Sequence, residues 1–331
     1  MPTATKVTFK ARPEHLPTLD CFAIEEQAIE QPAAGQALVK VDHISIDAWV
    51  STMLGAGSLH GALPVGATIP ALGVGTVLES ADPMLVAGDH VFGPVGAQSH
   101  LTAPAGMFRK LDTADIPARA HLGVLGLTTG LTAWVGLNTI GGLRADDTVV
   151  VSAAAGATGS VACEIARNRG ARVIGIAGGP DKVRYLVDEL GLAGAVDYKS
   201  DDVQKRVAEL APGGVTLFFD NVGGTVLDAV LANLAQEARV VICGAMSQYP
   251  RLDQVTGPRN YLKIAERNAT MRGFTVDHWP AALGEATTEI SQWHKEGRFK
   301  LREEVRSGID AFPGAVLSLY TGHIGKLLVA P

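Results

Sequence analysis

Six short apolar runs rich in Val and Ile follow one another between Thr148 and Val276, and the segments between them carry helical periodicity. The runs are Thr148 to Ala153, Ala171 to Ala177, Ala195 to Asp197, Val215 to Asp220, Arg239 to Gly244 and Met271 to Val276. This alternation predicts repeated strand–helix units around a parallel sheet, an α/β fold. Val183, Leu186, Val187 and Leu190 fall at i, i+3, i+4 and i+7, the positions of one helix face, and Leu227, Val230, Leu231 and Leu234 repeat that spacing.

The flanks read differently. Before about residue 118, extended runs such as ALVKVDHISID are punctuated by Gly and Pro, which predicts a compact β-rich domain. After about 290 come an amphipathic segment, GRFKLREEV, and the ending GHIGKLLVA, which alternates like a strand able to rejoin the first domain. At about 150 residues per domain, 331 residues suit two. The expected layout is a discontinuous domain, 1–117 plus 291–331, with a doubly wound unit, 118–290, inserted into it.

Charge and cysteine usage exclude several classes. Lys and Arg total 28 against 34 Asp and Glu, a net charge of -6, which argues against a chain that neutralises nucleic-acid phosphates with a basic face. Cys21, Cys163 and Cys243 are far apart with no C-x-x-C pair, so neither a disulfide framework nor a thiolate metal cluster is indicated. A reducing, cytoplasmic setting follows as the expectation. The uncharged stretches 48–78 and 120–143 exceed the roughly 20 residues that span a bilayer, but Pro64, Pro70, several glycines and Thr128, Thr129, Thr132 and Asn138 break them up. They read as buried loop and core. The N-terminus lacks the apolar run of a signal peptide.

The strand TVVVSA runs into AAGATGSVACEIARNRG, placing Gly156 and Gly159 at a strand-to-helix turn where the backbone bends sharply and approaches a ligand. The amides that open the next helix attract an anion, and a dinucleotide pyrophosphate is the natural occupant. Ala154 stands at the first glycine position of G-x-G-x-x-G, so the strand–turn–helix–strand context carries the reading. The second strand ends in IAGGPDKVRYL, without the acid that binds ribose hydroxyls in NAD enzymes. Gly178 and Gly179 leave space, and Lys182 can meet a 2'-phosphate in a charge-assisted contact of about 1.5–3 kcal/mol. NADPH is the expected cofactor; the alternative makes Asp181 and Lys182 ordinary first-turn residues on a solvated face. Tyr198, Asp220 with Asn221, and Ser247 with Tyr249 recur at later strand ends, where open α/β sheets bind ligands.

Together, GLTAW at 130–134, the glycine loop, GPDKVRYL, DYK, FDNVGG, CGAMSQY, GPRN at 257–260, MRGFTV, GRFKLREEV and GHIGKLLV resemble the medium-chain dehydrogenase/reductase superfamily. The resemblance is to its zinc-independent branch of prostaglandin reductases, leukotriene hydroxydehydrogenases and plant double-bond reductases. It implies a GroES-like first domain, a Rossmann domain, a homodimer, and NADPH-dependent reduction of the carbon–carbon double bond of α,β-unsaturated aldehydes or ketones. Carried over, Gly156, Ala157, Thr158 and Gly159 hold the pyrophosphate, Lys182 and Tyr198 the adenosine phosphate end, and Asn221 the ribose region. Cys243, Gly244, Ser247 and Tyr249, with Phe274, Thr275 and Val276, line the nicotinamide half.

In that reading a hydride reaches the β-carbon, and the developing enolate oxygen needs a donor. Tyr249 and a ribose hydroxyl are the candidates, although Tyr249 packing against the cofactor is an equal alternative. Two positions depart from the family. Where Asp-Pro-Tyr-Met-Arg is common, this chain has Asp47, Ala48, Trp49, Val50 and Ser51, and where Asn-x-Gly-Lys is usual it has His323, Ile324, Gly325 and Lys326. Trp49 and Tyr261 are the expected substrate-pocket residues, and His323 is either a cofactor donor or a surface variant. No metal site is expected. The alternatives to an ene reductase are a quinone oxidoreductase and a non-catalytic NADPH-binding sensor.

Overall fold

The computed structural model describes residues 3–55 and 61–331, so part of the pocket loop expected over 49–70 lies outside the described residues. The chain divides into two compact units, Met1–Gly123 with Tyr249–Asp253 and Glu303–Pro331, and Val124–Gln248 with Gln254–Arg302.

In the first unit, β1 (Thr3–Phe9) pairs antiparallel with β2 (Phe22–Ala28). The larger sheet contains β3 (Gln36–Ser45), β4 (Gly73–Ser80), β5 (His90–Gly93), β6 (His100–Pro104) and β7 (Arg109–Lys110). The short helix α1 (Ala48–Leu54) leaves the end of β3. Phe9, Val39, Ile44, Leu54, Ile69, Phe312, Leu327 and Val329 form its core, drawing on both ends of the chain. This is the GroES-like, β-rich unit.

The second unit opens with a helical run, 127–140, in which the α-helical turn α2 (Thr132–Trp134) is flanked by π-helical turns. Next come β8 (Thr148–Ser152), α3 (Ala157–Asn168), β9 (Arg172–Ala177), α4 (Pro180–Arg184), β10 (Gly194–Asp197), α5 (Val203–Leu210) and β11 (Val215–Asp220). Then follow α6 (Gly224–Leu231), β12 (Leu234–Ile242), α7 (Leu262–Glu266), β13 (Thr270–Gly273) and α8 (Pro280–Lys295). The six strands are all parallel in the order β10–β9–β8–β11–β12–β13. Numbered within the unit that order is 3-2-1-4-5-6, the Rossmann arrangement, whose direction reverses between β8 and β11. Val149, Val150 and Val151 have no solvent exposure, as expected of a parallel strand covered on both faces.

The first unit finishes with β14 (Glu303–Ser307), α9 (Phe312–Thr321) and β15 (Lys326–Ala330). Its sheet order is β14–β15–β3–β4–β5–β7, with β6 also on β3. Leu328 pairs with Ser45 and Val329 with Ile44, so the last residues of the chain run antiparallel to β3.

Several boundaries differ from the sequence expectation for identifiable reasons. Leu122 packs with Val74, Leu111 and Leu328, which holds the stretch just after 117 in the first unit. The GRFKLR stretch goes with the second: Arg298 donates to the Asn168 carbonyl (3.1 Å), the Lys300 amide to Glu164, and Arg302 ion-pairs with Glu189. Val187 is exposed, because α4 continues as π-helical turns over Tyr185–Glu189 and the wider turn puts Tyr185, Leu186 and Leu190 inside instead. Leu234 opens β12 rather than closing a helix, and the strand bulges before Arg239, with Glu237 at φ +57°. Strand β13 ends at Gly273, leaving Phe274, Thr275 and Val276 in the loop beyond. Among the described residues no helix is long and apolar enough to cross a membrane.

Candidate functional site

The switch point between β8 and β11 is built from buried polar groups. Ser152, at the end of β8, donates its hydroxyl to Asp220 Oδ1 (2.7 Å) at the end of β11 and accepts the Asn221 amide (2.8 Å). Asn221 Nδ2 donates to the Ser152 carbonyl (2.7 Å). Asp220 also accepts the Val222 amide (3.0 Å) and the Gly223 amide (3.0 Å at Oδ2), which folds FDNVGG back over the strand tip. Burial raises the Asp220 carboxyl above the ordinary carboxylate range, while the Ser152 hydroxyl and the two amides oppose that shift. The Cys243 and Gly244 amides both donate to the Asp220 carbonyl (2.8 and 3.1 Å), fixing the next strand end beside it. Ser247 spends its hydroxyl on the Val222 carbonyl (2.7 Å).

On the other side of β8 the chain turns through Ala153, at φ +47°, into Gly156, the N-cap of α3. A Cβ on Gly159 would stand 2.2 Å from the Ala153 carbonyl oxygen, so only glycine lets the helix seat against the turn. A Cβ on Gly156 meets nothing nearer than 3.3 Å, leaving the loop surface open. Thr158 anchors the helix start through its hydroxyl on the Thr128 carbonyl (3.0 Å), and Ala157 and Thr158 contribute the first amides of a twelve-residue helix. This cradle suits an anion held by backbone amides and the positive helix end.

The tips of β9 and β10 lie next along the edge. The Tyr198 ring covers Gly178, where a Cβ would come within 2.7 Å of it. Gly179 takes φ +97° and donates its amide to Asp197 Oδ1 (2.8 Å). Lys182 follows on α4, half-buried, its ammonium held below the ordinary lysine range by burial and by the neighbouring Lys199 charge. Gly156, Ala157, Thr158, Gly159, Lys182, Tyr198, Asn221, Cys243, Gly244 and Ser247 therefore gather at one edge of one sheet. Phe274, Thr275 and Val276 follow β13 at the same edge; the Phe274 ring approaches Gly136, and Thr275 bonds His278 Nδ1 (3.2 Å).

Other expected residues lie elsewhere. Trp49 is on α1 against the first unit's core, and His323 has Nδ1 3.4 Å from the Ser318 carbonyl in that unit. Tyr249 opens a 3-10 turn, Tyr249–Gln254, most of which groups with the first unit. Tyr261 stands with Leu262, Ile264, Ala265, Asn268 and Ala269 at an open cavity of about 690 Å³ beside the start of β13, away from the strand ends that gather the glycine loop. The roles of Ser152, Asp197 and Thr128 were not expected; the first two are legible in hindsight as polar residues ending strands at or near the switch point.

The family model described as "Zinc-binding dehydrogenase" matches residues 157–292, and that described as "N-terminal domain of oxidoreductase" matches 5–111. The chain is 31% identical over 326 residues to the NADPH-dependent curcumin reductase of Escherichia coli (strain K12), covering 96% of this chain and 94% of the relative. It is 32% identical over 301 residues to the NADP(+)-dependent 2-alkenal reductase of Nicotiana tabacum, covering 89% and 87%. The crystal structure of CurA from Vibrio vulnificus in complex with NADPH shares its fold at a TM-score of 0.92 and 30% identity, over 98% of each chain.

Zinc does not fit the donors present. Among the described residues no group of three or more His, Cys, Asp or Glu could hold a metal ion. Burial, with the Glu164 charge beside it, pushes the Cys163 thiol far above its ordinary range, and burial with Asp220 pushes Cys243 up to about 12, the opposite of a ligating thiolate. The chain thus belongs to the medium-chain dehydrogenase/reductase superfamily, in its zinc-independent branch with the prostaglandin and double-bond reductases.

Proposed function

We propose that this chain is an NADPH-dependent oxidoreductase that reduces the carbon–carbon double bond of α,β-unsaturated aldehydes and ketones. The observation that carries the reading is the cradle at the β8–β11 switch point, together with relatives whose names specify NADPH or NADP and, in one case, 2-alkenals. The residues fit the cofactor. The Gly156–Gly159 turn would hold a pyrophosphate on the amides that open α3, Asn221 and the 243–247 loop would hold the ribose side, and Lys182 would pair with a 2'-phosphate in place of a ribose-binding acid.

Bound NADPH supplies the hydride. The chain's own part is to hold the acceptor and stabilise the charge it acquires. Tyr249 would donate a hydrogen bond to the acceptor's carbonyl oxygen, where negative charge would develop. Water then protonates the α-carbon. Asp220 and Ser152 act through structure, holding Asn221 in place.

The protein is proposed to act as a cytoplasmic homodimer. Support for a dimer comes from β13, an edge strand whose four residues are all exposed, and from exposed Tyr261, Leu262 and Met271 nearby. The reaction is tested with purified protein, NADPH and a panel of enals, enones and quinones, followed by nicotinamide absorbance and product analysis. Saturated aldehydes or ketones are expected. Tight NADPH binding without turnover, or turnover of quinones alone, would overturn the reading.

A further inference from the structure

The tips of β9 and β10 hold a second cation that the pattern of the glycine loop and Lys182 does not include. Lys199 follows Tyr198 immediately after β10, exposed to solvent, and its charge acts on Lys182 across the gap. One carboxylate oxygen sets the geometry of both tips. Asp197 Oδ1 accepts the Gly179 amide (2.8 Å), one residue before α4, and the Lys199 amide (3.0 Å). The loop that presents Lys182 and the loop that presents Lys199 are thereby tied to the same atom.

The surrounding carboxylates are otherwise engaged. Asp197 is committed to those two amides, and Asp201 Oδ2 accepts the Asp197 amide (2.9 Å). Asp202 caps α5 through the Lys205 amide (3.0 Å), and Asp181 pairs with Arg184. Among the described residues neither Lys182 nor Lys199 forms an ion pair. The Asp197 carboxylate lies close enough to attract Lys199 but is bonded to the two amides, and the like charges of Lys182 and Lys199 still act on each other; an anion seated between them relieves that repulsion and pairs with both. The Tyr198 ring on Gly178 supplies a flat surface beside them.

We propose that Lys199 is a second ligand of the cofactor's 2'-phosphate, acting with Lys182 across the tips of β9 and β10 and sharing the selection of NADPH over NADH. This rests on the NADPH reading above and assigns a residue to it. Because Lys199 is exposed, its contribution is the smaller of the two, and it is screened by salt.

The test uses binding rather than turnover. Calorimetric titration of 2',5'-ADP and 5'-AMP, each at low and high salt, compares wild type with Lys182→Ala, Lys199→Ala and Lys199→Arg. Wild type is expected to prefer 2',5'-ADP. Lys199→Ala should lose about five- to tenfold on 2',5'-ADP, change 5'-AMP by less than about twofold and show a shallower salt dependence, with Lys199→Arg restoring most of the loss. Unchanged 2',5'-ADP affinity in Lys199→Ala, or an equal loss on both nucleotides, would overturn the assignment while leaving the NADPH reading intact. A wild type with no preference for the 2'-phosphate would overturn both.

Discussion

Glu164 is an acid buried one turn beyond the glycine loop, fully out of solvent on α3. Its Oε1 accepts the Lys300 amide, and its Oε2 has no partner among the described residues. Burial raises its carboxyl from the ordinary 4.5 to about 7, against the Lys300 amide and the Arg167 and Lys300 charges. The folded chain then holds a proton that the unfolded chain releases between those values. The stabilising effect is complete below about pH 4.5 and is lost as pH rises through about 7, an effect of about 3 kcal/mol. Glu164→Gln, neutral throughout, should remove that part of the pH dependence, seen as wild-type-minus-variant stability in urea titrations from pH 5 to 8. Parallel profiles for the two proteins would contradict the assignment. Residue-level legibility was uneven for a physical reason. Gly156 and Gly159 were legible as the turn before α3 because close backbone approach depends on residue type at a local turn. The setting of Glu164 was not legible, since the amide that its carboxylate accepts comes from Lys300, 136 positions away.

Elements are joined across the ends of the chain by one buried ion pair. Lys326, at the start of β15, is 1% exposed and donates to Asp47 Oδ1 (2.7 Å), while Ser45 donates to Asp47 Oδ2 (2.6 Å). Asp47 is the N-cap residue of α1, the helix that carries Trp49. Removing either charge takes from the other its buried ion-pair partner, so Lys326→Met and Asp47→Asn should each destabilise by about 3–5 kcal/mol. The double variant should lose less than the sum, with the coupling measured by chemical denaturation of all four proteins. Strict additivity would show that the pair has no mutual role. The departure of this chain from the family's Asp-Pro-Tyr-Met-Arg was legible, yet the partner of its Asp47 was not, because nothing local links positions 47 and 326. The π-helical turns at 127–140 and 185–189 were hidden for a related reason: a wider turn changes which residues face inward without changing how apolar the segment is.

At the scale of the whole molecule the strand order was readable in outline, because fully apolar strands separated by amphipathic helices leave few ways to build a parallel sheet. The ends of the inserted unit were less so: the sequence groups GRFKLR with the chain end that returns to the first domain, but its three cations are bound to α3 and the turns after α4. Association depends on surface that local pattern does not mark. If the β13 edge and Leu262 are the dimer contact, Leu262→Asp should shift sedimentation from dimer to monomer while leaving NADPH binding intact; an unchanged dimer would place the contact elsewhere. The proposed chemistry makes one demand on the molecule as a whole, that the nicotinamide hydride reach the β-carbon of a conjugated carbonyl. Incubation of the protein with an enone and NADPH deuterated at nicotinamide C4, with analysis of the product by mass spectrometry and NMR, tests this directly. The account predicts a saturated ketone carrying one deuterium at the β-carbon and a solvent-derived proton at the α-carbon; deuterium on the carbonyl carbon of an unsaturated alcohol, or none in the product, would contradict it.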